Sequence, residues 1–298
     1  MSVEYTQGTD TVAESLQEAA RTLGAHSDSP RLDAEVLLAH VLGCSRTGLI
    51  VAAERALSAR ETTAFTHLLA RRRTGTPIAY LTGMREFWSL PLHVTPAVLV
   101  PRPETETLVT AVLADIPRDR SVAVLDLGTG SGAIALAIQS ERPRAQVTGS
   151  DLSAGALAVA VENARHLGLP QIRWRQGAWF EAVPGERFDC IVSNPPYVAE
   201  GDPALARLAA EPRLALTPGA TGLEAFAAIC AHAADHLRVP GVLAFEHGAG
   251  QAAEVAALLA LHGFEQIRHH ADHAGLPRVT LATLRSSPNQ RHHLEDSP

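Results

Sequence analysis

Apolar residues recur at helical spacing through the first quarter of the chain. Val12, Leu16, Ala20 and Leu23 fall on one face of a predicted helix. Ser29 and Pro30 supply the N-cap and first residue of a second helix, which carries Leu37, Leu38, Val41 and Leu42 and stops at Gly43. Ser58 and Glu61 have the spacing of a capping box for another helix that runs through Leu68 and Leu69. It ends on Arg71, Arg72 and Arg73, which suit the negative end of a helix dipole. Three charges are a weak signal for contact with RNA or an acidic partner, so the dipole reading stands ahead.

The pattern then changes twice. Residues 76–105 mix aromatic and β-branched positions with Pro and Gly, as in a hairpin-like linker, and Pro96, Pro101 and Pro103 stiffen its exit. From Thr105 onward strands and helices alternate, the pattern of a parallel sheet covered on both faces. Strands are predicted at 122–126, 146–149, 172–176, 188–193 and 242–246, with a closing pair at 264–269 and 278–284. Helices are predicted around 133–139 and at 153–167, 223–237 and 251–261. The expected organisation is a helical domain at 1–75, a hairpin linker at 76–105, an α/β domain at 106–285 and a disordered polar tail at 286–298.

Composition narrows the function classes. Apolar content of 46% with 19% charged residues is ordinary for a soluble globular protein, and no apolar run approaches the ~18 residues of a membrane span. The first ten residues lack a signal-peptide pattern. Cys44, Cys190 and Cys230 are scattered and odd in number, which reads as reduced core thiols in a cytoplasmic protein. A net charge of −7 gives no overall basic field, so direct nucleic-acid binding is not expected, although all 25 basic residues are Arg. The 14 His show no metal-ligand spacing, and no metal is expected.

Two stretches carry chemistry. Residues 126–132, Asp-Leu-Gly-Thr-Gly-Ser-Gly, sit between a predicted strand and its helix, where Gly128, Gly130 and Gly132 permit a tight turn and close backbone approach. The next strand ends at Asp151, whose carboxylate can accept both hydroxyls of a ribose. Gly128, Gly130 and Ala133 also satisfy a dinucleotide fingerprint, so NAD competes with other adenosine cofactors. The second stretch is Asn194, Pro195, Pro196 and Tyr197, after the apolar strand at 188–193. Its prolines end the strand, fix φ and supply no N–H. The Asn194 side-chain oxygen and a neighbouring carbonyl then form a pair of acceptors for a planar NH₂ group. That group is a side-chain amide or the exocyclic amine of a base.

Here the chain resembles a known family. Residues 126–137 and 193–197 look like an S-adenosylmethionine-dependent N-methyltransferase. The stretches at 68–83, 85–92 and 101–106 are similar to the peptide chain release factor glutamine methyltransferases, the HemK/PrmC family. The resemblance spans residues 10 to 284. It implies a Rossmann-like, seven-stranded α/β methyltransferase domain, a small all-helical N-terminal domain for substrate recognition, and a β-hairpin between them. It implies methyl transfer from S-adenosyl-L-methionine, with S-adenosyl-L-homocysteine as product. The acceptor would be the glutamine of the Gly-Gly-Gln (GGQ) loop of class I peptide chain release factors. By motif position Gly128, Thr129, Gly130, Ser131, Gly132, Asp151, Trp179 and Asn194 would contact the cofactor, and Asn194, Pro195, Pro196 and Tyr197 would hold the glutamine. Ala178 departs from the family, whose members often carry an acid there. Trp179 is open to two readings, stacking on adenine or core packing. The alternative function is N6-adenine methylation of DNA or RNA, which needs the same amine clamp.

Overall fold

The computed structural model describes residues 10–285. The predicted tail at 286–298 lies outside them. Two compact units meet in the sequence between Gly83 and Met84.

The first unit holds α1 (Val12–Leu23), α2 (Pro30–Leu42), α3 (Arg46–Val51), α4 (Ala59–Arg73) and α5 (Ile78–Thr82). Thr11 with Glu14 and Ser58 with Glu61 form complete capping boxes. Val12, Leu16, Leu23, Leu37, Leu38 and Phe65 meet in one core. Ala19, not Ala20, completes the buried face of α1. Seven residues past Val12 the helix has turned to within roughly 20° of it, whereas eight residues overshoot by roughly 80°. Arg72 is held inward by an ion pair with buried Asp33 at 2.7 Å. Residues 78–82 form a helical turn where a hairpin-like linker was expected, and Ala79, Tyr80 and Leu81 are buried.

The second unit opens with an antiparallel hairpin of β1 (Met84–Phe87) and β2 (Leu90–His93). There follow α6 (Thr105–Asp115), β3 (Ala123–Leu127), α7 (Ala133–Glu141), β4 (Gln146–Asp151), α8 (Ala154–His166), β5 (Arg173–Gln176) and β6 (Phe188–Ser193). The chain continues with α9 (Ala204–Arg207), α10 (Glu224–Ala233), β7 (Leu237–Glu246), α11 (Ala252–Leu261), β8 (Phe264–Ala271) and β9 (Pro277–Leu284). The sheet has seven strands in the order β5-β4-β3-β6-β7-β9-β8. β5, β4, β3, β6 and β7 run parallel, and β9 and β8 close the edge antiparallel.

Side chains alternate between the faces of this sheet. Val124, Val192 and Ala244 pack with α6 and α7 residues such as Leu108, Val112 and Ile138. Leu125, Ile191 and Leu243 pack with Phe226, Ile229 and Val255 on the other face. The helix at 105–115 was not among the predicted elements. β7 begins five residues before its predicted start, because Leu237 pairs with Phe188 ahead of a bulge. Cys190 and Cys230 are buried core thiols, pushed up to about 12 by burial, whereas Cys44 is exposed rather than in the core.

Candidate active site

The order reversal beside β3 sends β4 and β6 to opposite sides of it, and the loops after β3, β4 and β6 share one edge of the sheet. Open α/β sheets bind ligands at the carboxyl ends of strands at such a point. After β3, Gly128, Gly130 and Gly132 all take positive φ, at 70°, 56° and 84°. A Cβ at Gly130 would meet open space, so there the glycine leaves the backbone bare toward the cavity. A Cβ at Gly132 would instead press on Leu136, Trp174 and Ala160 at 3.1–3.2 Å.

Two carboxylates hold this loop. Asp126 is buried beneath it, and its Oδ2 accepts from the Thr129 hydroxyl at 2.5 Å and from Ala135 N at 3.2 Å. Burial pushes the Asp126 carboxyl up to about 7. Asp151, at the end of β4, accepts from Gly130 N at 2.9 Å on Oδ2 and from Ser153 N at 2.8 Å on Oδ1, and the Leu152 N–H also favours its charged form. Burial raises the Asp151 pKa as well.

The loop after β6 is built differently. The Ser193 hydroxyl donates to Leu127 O at 2.7 Å, tying the ends of β6 and β3 together. Beyond the prolines, Gln251 donates to Tyr197 O at 3.1 Å, and Val198 N donates to Leu216 O at 2.9 Å. Gly222 lets the chain pass close by, since a Cβ there would sit 2.5 Å from Tyr197 O. Asn194 Nδ2 donates to Thr105 Oγ1 at 3.3 Å, and Asn194 lines the cavity described next. The buried side chain of Glu246 adjoins both Thr105 and Asn194.

Both loops open on one cavity of about 400 Å³, within the range of small-molecule sites. Gly128, Thr129, Gly130, Ser131, Asp151, Trp179, Asn194 and Pro196 all line it. Gly132, Pro195 and Tyr197 do not; Tyr197 packs on the core and its hydroxyl pKa is raised by burial. Trp179 is half-buried in a left-handed conformation at φ 47° and lies against Gly128. Ala178 also lines the cavity.

Sequence reasoning missed the opposite wall. Residues 97–99, 101 and 102 supply it with 212, 214, 215, 217 and 218, and Arg102 links the two stretches by an ion pair to Glu211, which also accepts from Val100 N at 3.0 Å. Arg102 and Thr105 stand in the stretch 101–106, so the signal was present as a motif, but nothing local announced a wall. Thr105 and Glu246 meet Asn194 only through the fold.

Residues 14–83 match the PrmC N-terminal domain family, and residues 105–222 match the methyltransferase small domain family. The release factor glutamine methyltransferase of Salmonella typhimurium is 45% identical over 267 residues, 89% of this chain and 96% of that protein. The release factor glutamine methyltransferase of Escherichia coli K12 is 44% identical over 268 residues, 89% and 96% of the two chains. This chain belongs to the release factor glutamine methyltransferase family. The fold is shared more widely. A methyltransferase from Pyrococcus furiosus superposes with a TM-score of 0.53 at 18% identity, over 74% of this chain and all of that one. Within the family's frame, the glycine loop, Asp151 and Asn194 are brought to one cavity by three separate strand ends.

Proposed function

We propose that this chain transfers a methyl group from S-adenosyl-L-methionine to the side-chain amide nitrogen (N5) of the glutamine in the GGQ motif of class I release factors, a modification of the translation termination machinery. The observation that carries the proposal is the single cavity that joins a bare glycine loop and Asp151 to Asn194, whose NH₂ donates to Thr105. The family relationship supports the same reading.

The residues fit the cofactor. Gly128, Thr129, Gly130 and Ser131 would admit its backbone-hugging end, Asp151 would accept the ribose hydroxyls, and Trp179 would cover the adenine. When bound, S-adenosyl-L-methionine supplies an electrophilic methyl group on a sulfonium. The protein's own task is to present a poor nucleophile. An amide nitrogen has its lone pair delocalised into the carbonyl, so orientation is the main difficulty. Asn194 Oδ1 would accept one amide hydrogen in the cavity, and the Pro195 carbonyl, which does not line it, would have to turn toward it to accept the second. The prolines keep these acceptors rigid, while Tyr197 and Pro196 brace the loop. Ideal positioning lowers a barrier by up to ~7–11 kcal/mol. No group must remove a proton before transfer, because the proton can leave the product.

A few acceptors cannot tell one glutamine from another, so the helical unit is the proposed second grip on a folded substrate. Among the described residues no helix is long and apolar enough to cross a membrane. A cytoplasmic location, where release factors work, completes the reading. Adenine methylation is not favoured, since the relatives act on release factors by name and the net charge is −7.

The test is incubation with labelled methyl donor, a class I release factor and duplex DNA in parallel. Label on the release factor alone is expected, at the Gly-Gly-Gln peptide by mass spectrometry. Label on DNA alone would overturn the substrate assignment. A chain lacking residues through Gly83 is expected to bind donor but modify intact release factor poorly.

A further inference from the structure

We propose that Glu246 is a positioning residue for Asn194: its buried carboxylate, acting with the Thr105 hydroxyl, keeps the Asn194 side-chain NH₂ turned inward and its oxygen turned toward the cavity. The inference rests on the reading of Asn194 as an acceptor for the substrate amide.

Topology puts the three residues together. β6 and β7 are adjacent and parallel, and Ser193 pairs with Phe245. One residue further on, Asn194 and Glu246 continue the face that carries Val192 and Ala244. That face is covered by α6, whose first residue is Thr105. Asn194 Nδ2 donates to Thr105 Oγ1 at 3.3 Å. The Thr105 hydroxyl and the Asn194 amide both hold the Glu246 carboxyl down against burial.

Glu246 is only 1% exposed, and its Oε2 has no hydrogen-bond partner among the described residues. A carboxylate so placed costs stability, and an apolar or amide side chain would relieve that cost. What only a carboxylate provides is one-way hydrogen bonding. An ionised carboxylate accepts and cannot donate. Facing it, an Asn side chain must present NH₂ and show its oxygen to the other side. A neutral amide at 246 can donate or accept, and so dictates neither orientation. An anion behind the Asn194 NH₂ also polarises that amide and makes its oxygen a stronger acceptor.

Burial pushes the Glu246 carboxyl up to about 7. The charged and titratable groups around it are Glu104, which raises it, Arg278 of β9, which lowers it, and the Tyr197 phenol. Burial lowers the pKa of His247, next in the chain. The orienting form therefore fills as pH rises through neutrality. Stability runs the other way. The folded pKa lies above the unfolded one, so the contribution of this group is present below its ordinary value of 4.5 and lost as pH rises through about 7.

The test compares full-length wild type with Glu246→Gln at pH values from about 5 to 9. Turnover on a release factor is expected to rise through neutrality in wild type. In the variant it should be lower by about 10- to 100-fold at alkaline pH, with that rise gone. Donor affinity by calorimetry should stay within a few-fold, and the variant's thermal midpoint above neutrality should equal or exceed that of wild type. The Asn194 side-chain amide signals in ¹⁵N spectra should titrate with Glu246 in wild type and stay fixed in Glu246→Gln. Wild-type turnover and pH profile in the variant would overturn the proposal. So would a slow variant that has lost donor affinity and thermal stability in proportion, the mark of a merely structural role. If wild type leaves release factors unmodified while its Asn194 signals still titrate, the substrate reading fails and the positioning of Asn194 stands.

Discussion

Two loops on one sheet edge solve opposite problems. The loop after β3 relies on freedom: three glycines take positive φ, Gly130 leaves the backbone bare, and Asp126 and Asp151 pin it from below and from the side. The loop after β6 relies on stiffness: two prolines remove rotation and donors, and Gln251, Gly222 and Ser193 lock the flanks. A loop that wraps a ligand needs backbone that side chains would block. A loop that aims two acceptors at a small group needs backbone that does not move. In the proposed function the tasks are separate, binding for the first loop and orientation for the second.

Three substitutions press on that division, the strongest first. Asn194→Ala removes the proposed acceptor oxygen. Turnover on the release factor should fall by roughly 10²–10³, the scale for loss of one preorganised hydrogen-bonding group, while donor affinity changes little. Wild-type turnover would break the orientation half. Asp151→Ala removes the acceptor that also holds Gly130 N at 2.9 Å. Calorimetry should show donor affinity down by roughly 1.5–3 kcal/mol, and an unchanged affinity in a folded variant would break the binding half. Gly130→Ala places a side chain at φ 56° with nothing within 4 Å of its Cβ. The strain of about 1–2 kcal/mol should appear as a modest loss of stability and donor affinity, with turnover at saturating donor close to wild type.

The two loops also differ in how much of them the sequence discloses. The glycine loop is local: its turn, its strand and its acid follow from neighbours in the chain and from strand periodicity, and Asp151 accepts from Gly130 N and lines the same cavity. The proline loop announces its stiffness, but its working orientation does not lie in residues 194–197. It comes from Thr105 at the head of α6 and Glu246 at the end of β7, and only strand order brings them to Asn194. The opposite wall is hidden for the same reason, since Arg102 reaches Glu211 across more than a hundred residues of chain. Short elements were also hard to read. The helical turn at 78–82 follows Pro77 and carries Tyr80 and Leu81 inward, too few residues for a period to emerge. Aromatic and β-branched content therefore spoke for strand.

Single-turnover methyl transfer at saturating donor, with Asn194→Ala and Asp151→Ala measured side by side, tests the division of labour most directly. Excess donor should compensate for the binding defect and restore Asp151→Ala to within a few-fold of the wild-type rate. Asn194→Ala should stay slow at every donor concentration. Recovery of Asn194→Ala by donor, or an Asp151→Ala rate that remains as low as that of Asn194→Ala once donor is saturating, would contradict it.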